Sequence, residues 1–259
     1  QRQMCIRDSG TSGSGTVFFS GCNLRCVFCQ NHNIALGKAG RVIAPEHLAE
    51  IFLQLQEQGA NNINLVTPTH FLPQIVIALE QAKQQGLHLP IVYNTGSYES
   101  PEALRHLEGL VDIYLPDFKY MESDLAGKYS HAKDYPEIAR EALAEMVCQA
   151  GTPEFDDRGM MKKGVIVRHL LLPGHVRNSR KVLEYLYETY KDQIYISLMN
   201  QYTPLPQVRD VPDLNRRVTK REYEKVLDHA LDLGITQGFF QEGGTAKESF
   251  IPLFDYEGL

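Results

Sequence analysis

The 259-residue sequence predicts an α/β fold of parallel strands, on the basis of three observations. Short apolar runs alternate six times with amphipathic helical stretches, and no block of consecutive strands interrupts them. Several runs, such as Ile91-Val92-Tyr93, are continuously apolar, which is typical of strands covered on both faces. Six units are too few for a complete eight-unit barrel. An incomplete, splayed barrel and a doubly wound sheet both fit this pattern.

The predicted elements follow one another in regular order. Strands are expected at residues 16–20, 62–67, 90–95, 111–117, 164–172 and 195–200. Helices are expected at residues 45–58, 72–86, 136–150, 179–191 and 219–233, with a short one after Pro101. Thr219 and Glu222 have the spacing of a capping box at the start of the last helix. Residues 151–163 are interpreted as a polar hairpin or insertion, and residues 203–212 as a long proline-rich loop.

Composition and charge restrict the class of protein. With 43% hydrophobic and 22% charged residues, the chain is ordinary for a soluble globular protein. The formal net charge of −6 and the lack of any lysine- or arginine-rich run argue against nucleic acid as a partner. The sequence has no apolar stretch of about 18 residues, so no membrane association is expected. The odd count of five cysteines and the tight C-x-x-C spacing within three of them favour metal binding in a reducing, cytoplasmic location over disulfides.

The amino-terminal residues do not share the pattern of the rest. They show no hydrophobic periodicity and lead into a glycine- and serine-rich stretch. Residues 1–12 are therefore interpreted as a flexible or non-native leader, and residues 13–259 as a single domain. Cys5, within the leader, is not expected to bind metal. Cys148 lies in a predicted helix and is expected to be a small buried hydrophobic residue.

Polar residues follow the predicted strands at the point where each strand ends. In parallel α/β folds the carboxyl ends of the strands meet at one edge, and ligands bind there. These residues are therefore predicted to line one rim. They are the loop that contains Cys22, Cys26 and Cys29, and residues 67–70, 94–96, 117–119, 172–175 and 200–201.

Three cysteines in one short loop, Cys22, Cys26 and Cys29, form the most informative motif. They follow the first predicted strand and a turn. Iron–sulfur clusters are usually held by four cysteines, so three thiolates leave one iron open to a ligand other than protein. An amino-acid group can chelate such an iron through its amine and carboxylate. Structural zinc is the alternative, with His32 as fourth ligand, although zinc ligands usually form two separated pairs.

The loop Cys22-Asn-Leu-Arg-Cys26-Val-Phe-Cys29 resembles the C-x-x-x-C-x-x-C signature of radical S-adenosylmethionine (radical SAM) enzymes. With its flanks, it is similar to the pyruvate formate-lyase activating enzyme-like branch of that superfamily. The resemblance covers essentially the whole chain from about Gly13 onward. Its further strings are Val66-Thr-Pro-Thr-His70, Val92-Tyr-Asn-Thr95, Asp112-Ile-Tyr-Leu-Pro-Asp-Phe-Lys-Tyr120, Val167-Arg-His-Leu-Leu-Leu-Pro-Gly174 and Ser197-Leu-Met-Asn-Gln-Tyr202.

The resemblance implies that the fold is an incomplete (β/α)6 TIM-like barrel. It also implies a [4Fe-4S] cluster on the three cysteines and S-adenosylmethionine on the open iron, where its cleavage gives a hydrogen-abstracting radical. It also implies that Phe28 lies against the adenine. The family's Gly-Gly-Glu-Pro-like motif, which binds the cofactor's amino group, is replaced here by Thr-Pro-Thr-His. Thr67 and Thr69 are therefore the expected contacts of that group. The other expected cofactor contacts, at strand ends, are Asn94, Asp117, Lys119 and Arg168.

The resemblance further implies an oxidoreductase with two kinds of partner. These are a reductant such as flavodoxin or ferredoxin and a glycyl-radical protein as substrate. A small molecule or another peptide is the alternative substrate, and a non-catalytic zinc-stabilised binding protein is the alternative class. For Asp117 and Lys119, a simple salt bridge is the alternative to cofactor binding. The strand-end histidines are expected to pack or hydrogen-bond rather than to catalyse; they are His70, His169 and His175.

Overall fold

The computed structural model of the protein describes residues 13–240, so the predicted leader at residues 1–12 lies outside the described residues. The strands are β1 (Gly15–Phe18), β2 (Ile63–Val66), β3 (Ile91–Thr95), β4 (Ile113–Pro116), β5 (Glu154–Phe155), β6 (Met161–Leu170), β7 (Tyr195–Met199) and β8 (Gly238–Phe240). The helices are α1 (His32–Ala35), α2 (Pro45–Glu57), α3 (Leu72–Gln84), α4 (Pro101–Arg105), α5 (Ser123–Ser130), α6 (Tyr135–Ala150), α7 (Val176–Tyr190) and α8 (Lys220–Asp232). None of the helices in this part of the chain has the length and apolar character needed to cross a membrane.

The strands form one sheet in the order β1-β2-β3-β4-β6-β7-β8, and β5 pairs with β6 outside this path. All pairs along the path are parallel, whereas the β5–β6 pair is antiparallel. The spatial order follows the chain order at every step, as in a barrel, and lacks the reversal that defines a doubly wound sheet. Within residues 13–240 the two end strands, β1 and β8, do not pair, so the barrel is open. The predicted parallel α/β, incomplete-barrel fold is confirmed.

The sheet contains one more parallel strand than the six predicted. This strand, β8, has three residues and pairs with β7. It was missed because three residues are too few to show a hydrophobic period. Its first residue, Gly238, lies against the neighbouring backbone, where a Cβ atom would be only 2.9 Å from the carbonyl oxygen of Ile196.

Two local predictions are confirmed. The region 151–163 contains a hairpin, because Glu154 pairs with Lys163 in the antiparallel β5–β6 ladder. The capping box of α8 is present: the Thr219 side chain accepts a hydrogen bond from the Glu222 N–H, and the Glu222 carboxylate accepts one from the Thr219 N–H.

The prediction that Cys148 is buried is wrong, because this residue is exposed. The inward face of α6 is formed by residues such as Met146, Val147 and Ala150. Cys148 lies four residues after exposed Ala144 and shares its outer face.

The apolar clusters on the two faces of the sheet differ in size. Helices cover one face and enclose the main hydrophobic core. The opposite face carries a small apolar cluster formed by Val92, Ile113, Leu115 and Ile166. We call this opposite face the inner face. Side chains two positions apart on a strand point to the same side. Asn94, Asp117 and Arg168 each lie two positions after a cluster member, so they belong to the inner face as well. The inner face thus changes from apolar to polar at the carboxyl ends of the strands.

Candidate functional site

The cysteine loop follows β1 and is tied by its backbone to the end of α5. Gly21 turns the chain with a φ of +90°, and a Cβ atom there would lie 3.2 Å from the His70 ring. Further along the loop, the Val27 N–H donates to the carbonyl of Tyr129 at 2.9 Å. The three loop cysteines are free thiols of intermediate exposure. The backbone of the loop is therefore tied to α5, and its three thiols are partly exposed.

The pKa values of the loop thiols are raised by burial, and hydrogen bonds and the charge of Lys119 oppose this effect. Burial, followed by the charge of Cys26, raises the pKa of Cys29 to about 12. Burial is also the main cause of the raised pKa values of Cys22 and Cys26. The charge of Lys119 acts in the opposite direction on all three thiols. Metal binding must displace these protons, and Lys119 favours the thiolate form that results.

A cavity of about 210 Å³ opens beside the loop and is lined by Cys26, Cys29 and His32, among other residues. Nevertheless, no three His, Cys, Asp or Glu side chains within residues 13–240 converge as ligands of one metal ion. A cluster places its irons at separate corners, so thiolates that bind different irons do not need to converge on one point.

Four of the predicted strand-end residues meet in one polar group, Asn94, Asp117, Lys119 and Arg168, which we call the strand-end group. Lys119 Nζ donates to Asp117 Oδ2 at 2.6 Å. Arg168 Nη2 lies 2.7 Å from Asp117 Oδ1 and donates to Asn94 Oδ1 at 2.7 Å. The group joins the ends of β3, β4 and β6, as expected where parallel strands end at a common edge.

The charges of the strand-end group are mutually stabilised. Burial by itself raises the pKa of Asp117, but the charges of Arg168 and Lys119 outweigh it and hold that pKa below its ordinary value of 3.8. Burial lowers the pKa of Lys119, but the Asp117 carboxylate outweighs this and the net pKa lies above its ordinary value. The salt bridge is therefore present. It does not exclude ligand binding, because Arg168 Nε is buried and has no hydrogen-bond partner in the described part of the chain.

Thr67 and Phe28 lie at the same edge. Thr67 has a φ of +57°, and its N–H donates to the carbonyl of Asn94 at 2.9 Å, so its backbone joins the strand-end group. Phe28 is buried within the loop, and its ring packs edge-on against Tyr202 with 6.2 Å between the ring centroids. The pair provides an aromatic surface beside the cysteines.

Glu99 is a residue of this edge that the sequence analysis missed. Its residue exposure is only 3%. The Oε1 atom accepts hydrogen bonds from the hydroxyls of Thr69, Thr95 and Tyr93, whereas Oε2 has no such partner among residues 13–240. Burial raises the pKa of Glu99 above its ordinary 4.5 and the three hydroxyls only partly oppose this. The negative charge of Glu99 also contributes to the raised pKa of Cys22.

The three predicted histidines differ in environment. His169 is fully enclosed: its Nδ1 lies 2.7 Å from the carbonyl oxygen of Phe118 and its Nε2 lies 2.8 Å from Ser179 Oγ. Burial lowers the pKa of His169 to about 4, so it is neutral and serves as a hydrogen-bonding residue, as predicted. His175 Nε2 lies 2.9 Å from the Tyr129 hydroxyl. His70 is exposed.

The residues around the loop fit an iron–sulfur cluster that carries a polar cofactor. Three thiols beside the Lys119 cation supply the sulfur donors that iron requires. Arg168 Nε and Glu99 Oε2 are a buried donor and a buried acceptor without hydrogen-bond partners among the described residues. Buried polar atoms of this kind are normally satisfied, so a polar ligand is a reasonable partner for them.

Comparison with known proteins establishes the family. Residues 16–186, more than half of the chain, match the model of the Radical SAM superfamily. The protein therefore belongs to the radical SAM superfamily, a family of enzymes that bind a [4Fe-4S] cluster and S-adenosylmethionine. The family predicted from the cysteine motif is confirmed.

Two relatives are similar over parts of their length. Uncharacterized protein MJ0674 of Methanocaldococcus jannaschii is 30% identical over 227 residues, which cover 84% of this chain and 62% of that protein. The pyruvate formate-lyase-activating enzyme of Clostridium pasteurianum is 30% identical over 116 residues, which cover 42% of this chain and 46% of that enzyme. The chain thus spans less than two thirds of the length of either relative.

Solved structures share the fold at low sequence identity. Streptococcus suis SuiB bound to the precursor peptide SuiA has a TM-score of 0.59 at 13% identity, covering 89% of this chain and 49% of SuiB. SuiB bound to S-adenosylmethionine gives 0.57 at 14% identity, covering 89% and 47%. A domain of pyruvate-formate lyase-activating enzyme from Bacteroides vulgatus ATCC 8482 gives 0.51 at 14% identity, covering 71% of this chain and 100% of that domain. These similarities concern the fold alone.

Proposed function

We propose that Cys22, Cys26 and Cys29 bind three irons of the [4Fe-4S] cluster and that the enzyme activates a glycyl-radical protein. The observation that carries the cluster assignment is the placement of three partly exposed thiols in one loop, where the charge of Lys119 opposes the burial that raises their pKa values. Cations next to cysteines favour the thiolate, which is the metal-binding form. Lys119 is itself held in place by Asp117 at 2.6 Å.

When bound, the cluster and S-adenosylmethionine supply a one-electron cleavage of a sulfur–carbon bond that yields methionine and a 5′-deoxyadenosyl radical. The protein's own residues bind the cofactor and orient it. Asn94, Asp117 and Arg168 form a charged wall at the strand ends, and Arg168 Nε is a donor there that has no hydrogen-bond partner among residues 13–240. Lys119 balances the negative charge of the thiolates.

The remaining cofactor contacts are proposed at the same edge. Phe28 offers an aromatic face to the adenine and is held by Tyr202. Thr67 and Thr69 are the proposed contacts of the cofactor's amino group, each through a hydroxyl oxygen that accepts a hydrogen bond. The Thr69 hydroxyl donates to Glu99 at 2.6 Å, which leaves its oxygen lone pairs available as acceptors.

The proposed substrate is a glycine residue of a partner protein, from which a hydrogen atom is removed. Two observations support this class: the flanks of the cysteine loop, and 30% identity over 116 residues to a pyruvate formate-lyase-activating enzyme. The proposed electron donor is a flavodoxin or a ferredoxin, since the cluster must be reduced by one electron in each cycle.

The cluster assignment is tested by anaerobic reconstitution of the full chain with iron and sulfide. We expect about four irons and four sulfides per chain, and formation of 5′-deoxyadenosine from S-adenosylmethionine with a chemical reductant. Cys26→Ala should lose both the cluster and the cleavage. Cys148→Ala is the matched control, because this cysteine is exposed and outside the loop, and it should retain both. A Cys26→Ala chain that keeps a complete cluster would show that the ligands are misassigned.

The substrate is tested separately, by anaerobic incubation of the reconstituted chain with glycyl-radical enzymes. Electron paramagnetic resonance should show a glycyl radical on the partner. Cleavage of S-adenosylmethionine without a radical on any partner would reject the activase role and favour a small-molecule or other peptide substrate. A colourless protein that contains zinc would reject both.

A further inference from the structure

Ser130 lies directly against one of the loop cysteines. It is the last residue of α5 and is 1% exposed. Its Oγ is 2.9 Å from Cys26 Sγ and 2.9 Å from the hydroxyl of Tyr120. Ser130 thus lies between a thiol and a phenol, and all three groups form one continuous chain of hydrogen bonds.

The position of Ser130 is rigidly determined. Its carbonyl accepts a hydrogen bond from the N–H of Arg25 in the cysteine loop, at 3.4 Å. Tyr120 is completely buried, and its ring packs edge-on against Tyr135 with 5.5 Å between the ring centroids. Both hydroxyls are shielded from solvent, so packing fixes the contact between Ser130 and Cys26.

A metal-bound thiolate fixes the direction of this chain. A thiolate has no proton to give, so Ser130 must donate to Cys26 Sγ. The Ser130 oxygen then accepts from the Tyr120 hydroxyl, whose proton has no other acceptor in the chain of three groups. A hydroxyl that itself accepts a hydrogen bond is a stronger donor, and Tyr120 therefore reinforces the contact with sulfur.

We propose that Ser130 and Tyr120 form a hydrogen-bond relay to Cys26 that raises the reduction potential of the cluster. Ser130 then acts on the cluster through Cys26, as a positioning residue, and favours uptake of an electron by the cluster. The inference rests on the proposed function, because it requires Cys26 to be a cluster ligand. One electron from the reductant enters the cluster and increases the negative charge on its sulfurs. A donor aimed at sulfur stabilises this reduced state more than the oxidised state.

The test is an anaerobic potentiometric titration of the reconstituted full chain without S-adenosylmethionine, in which paramagnetic resonance detects the reduced cluster. In Ser130→Ala we expect the ratio of reduced to oxidised cluster at a fixed potential to fall about tenfold, which corresponds to a midpoint about 59 mV more negative. Tyr120→Phe should shift the midpoint in the same direction by less. Ser130→Thr keeps the hydroxyl and should restore the parent value.

Tyr114→Phe is the matched control. Tyr114 is also completely buried, and its hydroxyl donates to Gln149 rather than to the relay. An unchanged midpoint in Ser130→Ala, or an equal shift in Tyr114→Phe, would overturn the relay. If Ser130→Ala does not take up the cluster, Tyr120→Phe decides: a negative shift supports the relay and an unchanged midpoint overturns it.

Iron and sulfide content separate this inference from the proposed function. A parent chain that assembles the cluster and cleaves S-adenosylmethionine, but shows no shift in the variants, overturns the relay alone. A parent chain that assembles no cluster overturns the proposed function as well.

Discussion

Two buried carboxyl groups near the cysteine loop have pKa values that are shifted in opposite directions. Asp117 is paired with two cations, Lys119 and Arg168, and its pKa lies below the ordinary value although burial acts to raise it. Among residues 13–240, Glu99 is hydrogen-bonded only to hydroxyl groups, and its pKa lies above the ordinary value because burial prevails. Burial is the largest influence on both groups, so burial alone does not decide their charge. What decides it is whether the partners carry a full charge or only a dipole.

The difference separates two parts of the same edge. The Asp117 side is a network of fixed charges whose cation, Lys119, acts on every thiol of the loop. The Glu99 side is a pocket of hydroxyls around one acid, with an oxygen that has no hydrogen-bond partner within residues 13–240. Substitutions of four residues, some of them combined with a change of pH, test this contrast.

The largest effect on stability is expected from Asp117→Asn. This change leaves Lys119 and Arg168 together without the charge that compensates them. We expect the free energy of unfolding at pH 7 to fall by about 3 kcal/mol, measured by urea denaturation of the metal-free chain. Adding Lys119→Met to this variant should recover part of the loss. A loss below about 1 kcal/mol would show that the network is no more than an exposed ion pair.

The next effect concerns His169, a buried base whose hydrogen-bond partners in the described part of the chain are the Phe118 carbonyl and the Ser179 hydroxyl, both uncharged. Its folded-state pKa of about 4 lies below the ordinary 6.5, so its neutral form stabilises the fold above pH 6.5, and this contribution is lost as the pH falls towards 4. Between pH 7 and pH 5 we expect the free energy of unfolding to fall by about 2 kcal/mol from this group. His169→Gln, which keeps a donor and an acceptor, should flatten the dependence. The same slope in both chains would contradict this account.

A smaller effect, with the opposite slope, is expected from Glu99. Its folded-state pKa is raised, so its stabilisation is complete below pH 4.5 and is lost as the pH rises through the folded value. For Asp117 the stabilisation is present above pH 3.8 and is lost as the pH falls. Glu99→Gln should remove the decline above pH 4.5 and change the free energy of unfolding at pH 7 by about 1 kcal/mol or less. Glu188→Gln, at an exposed site, is the control and should leave the decline in place.

The smallest effect is expected from Tyr93→Phe. The Tyr93 hydroxyl is the most distant donor to Glu99, at 3.3 Å. Its removal should lower the free energy of unfolding by about 0.5 kcal/mol and raise the pKa of Glu99 further, which moves the decline in stability to higher pH. Urea denaturation over a pH series measures both. A shift of that decline to lower pH would contradict the assignment of Tyr93 as a donor.

Much of the site was predictable because its members have regular positions. Asn94 and Asp117 follow apolar runs that predict strands, and parallel strands bring their carboxyl ends together. Arg168 is expected only from the family resemblance. Glu99 was missed for the opposite reason. It precedes a helix start in the sequence, where an exposed acid is ordinary, and nothing local indicates that it is buried.

The amino-acid sequence by itself determined the superfamily and the alternation of strands and helices, because cysteine spacing and hydrophobic periodicity are properties of short segments. Only the tertiary structure decided which polar groups become partners. Cys26 and Ser130 are 104 residues apart in the chain, and Thr69 reaches Glu99 across 30 residues. Such contacts depend on strand order and on how deeply each group is buried, which no local pattern encodes. The charge of a buried acid follows from those partners, so it too was decided by the fold.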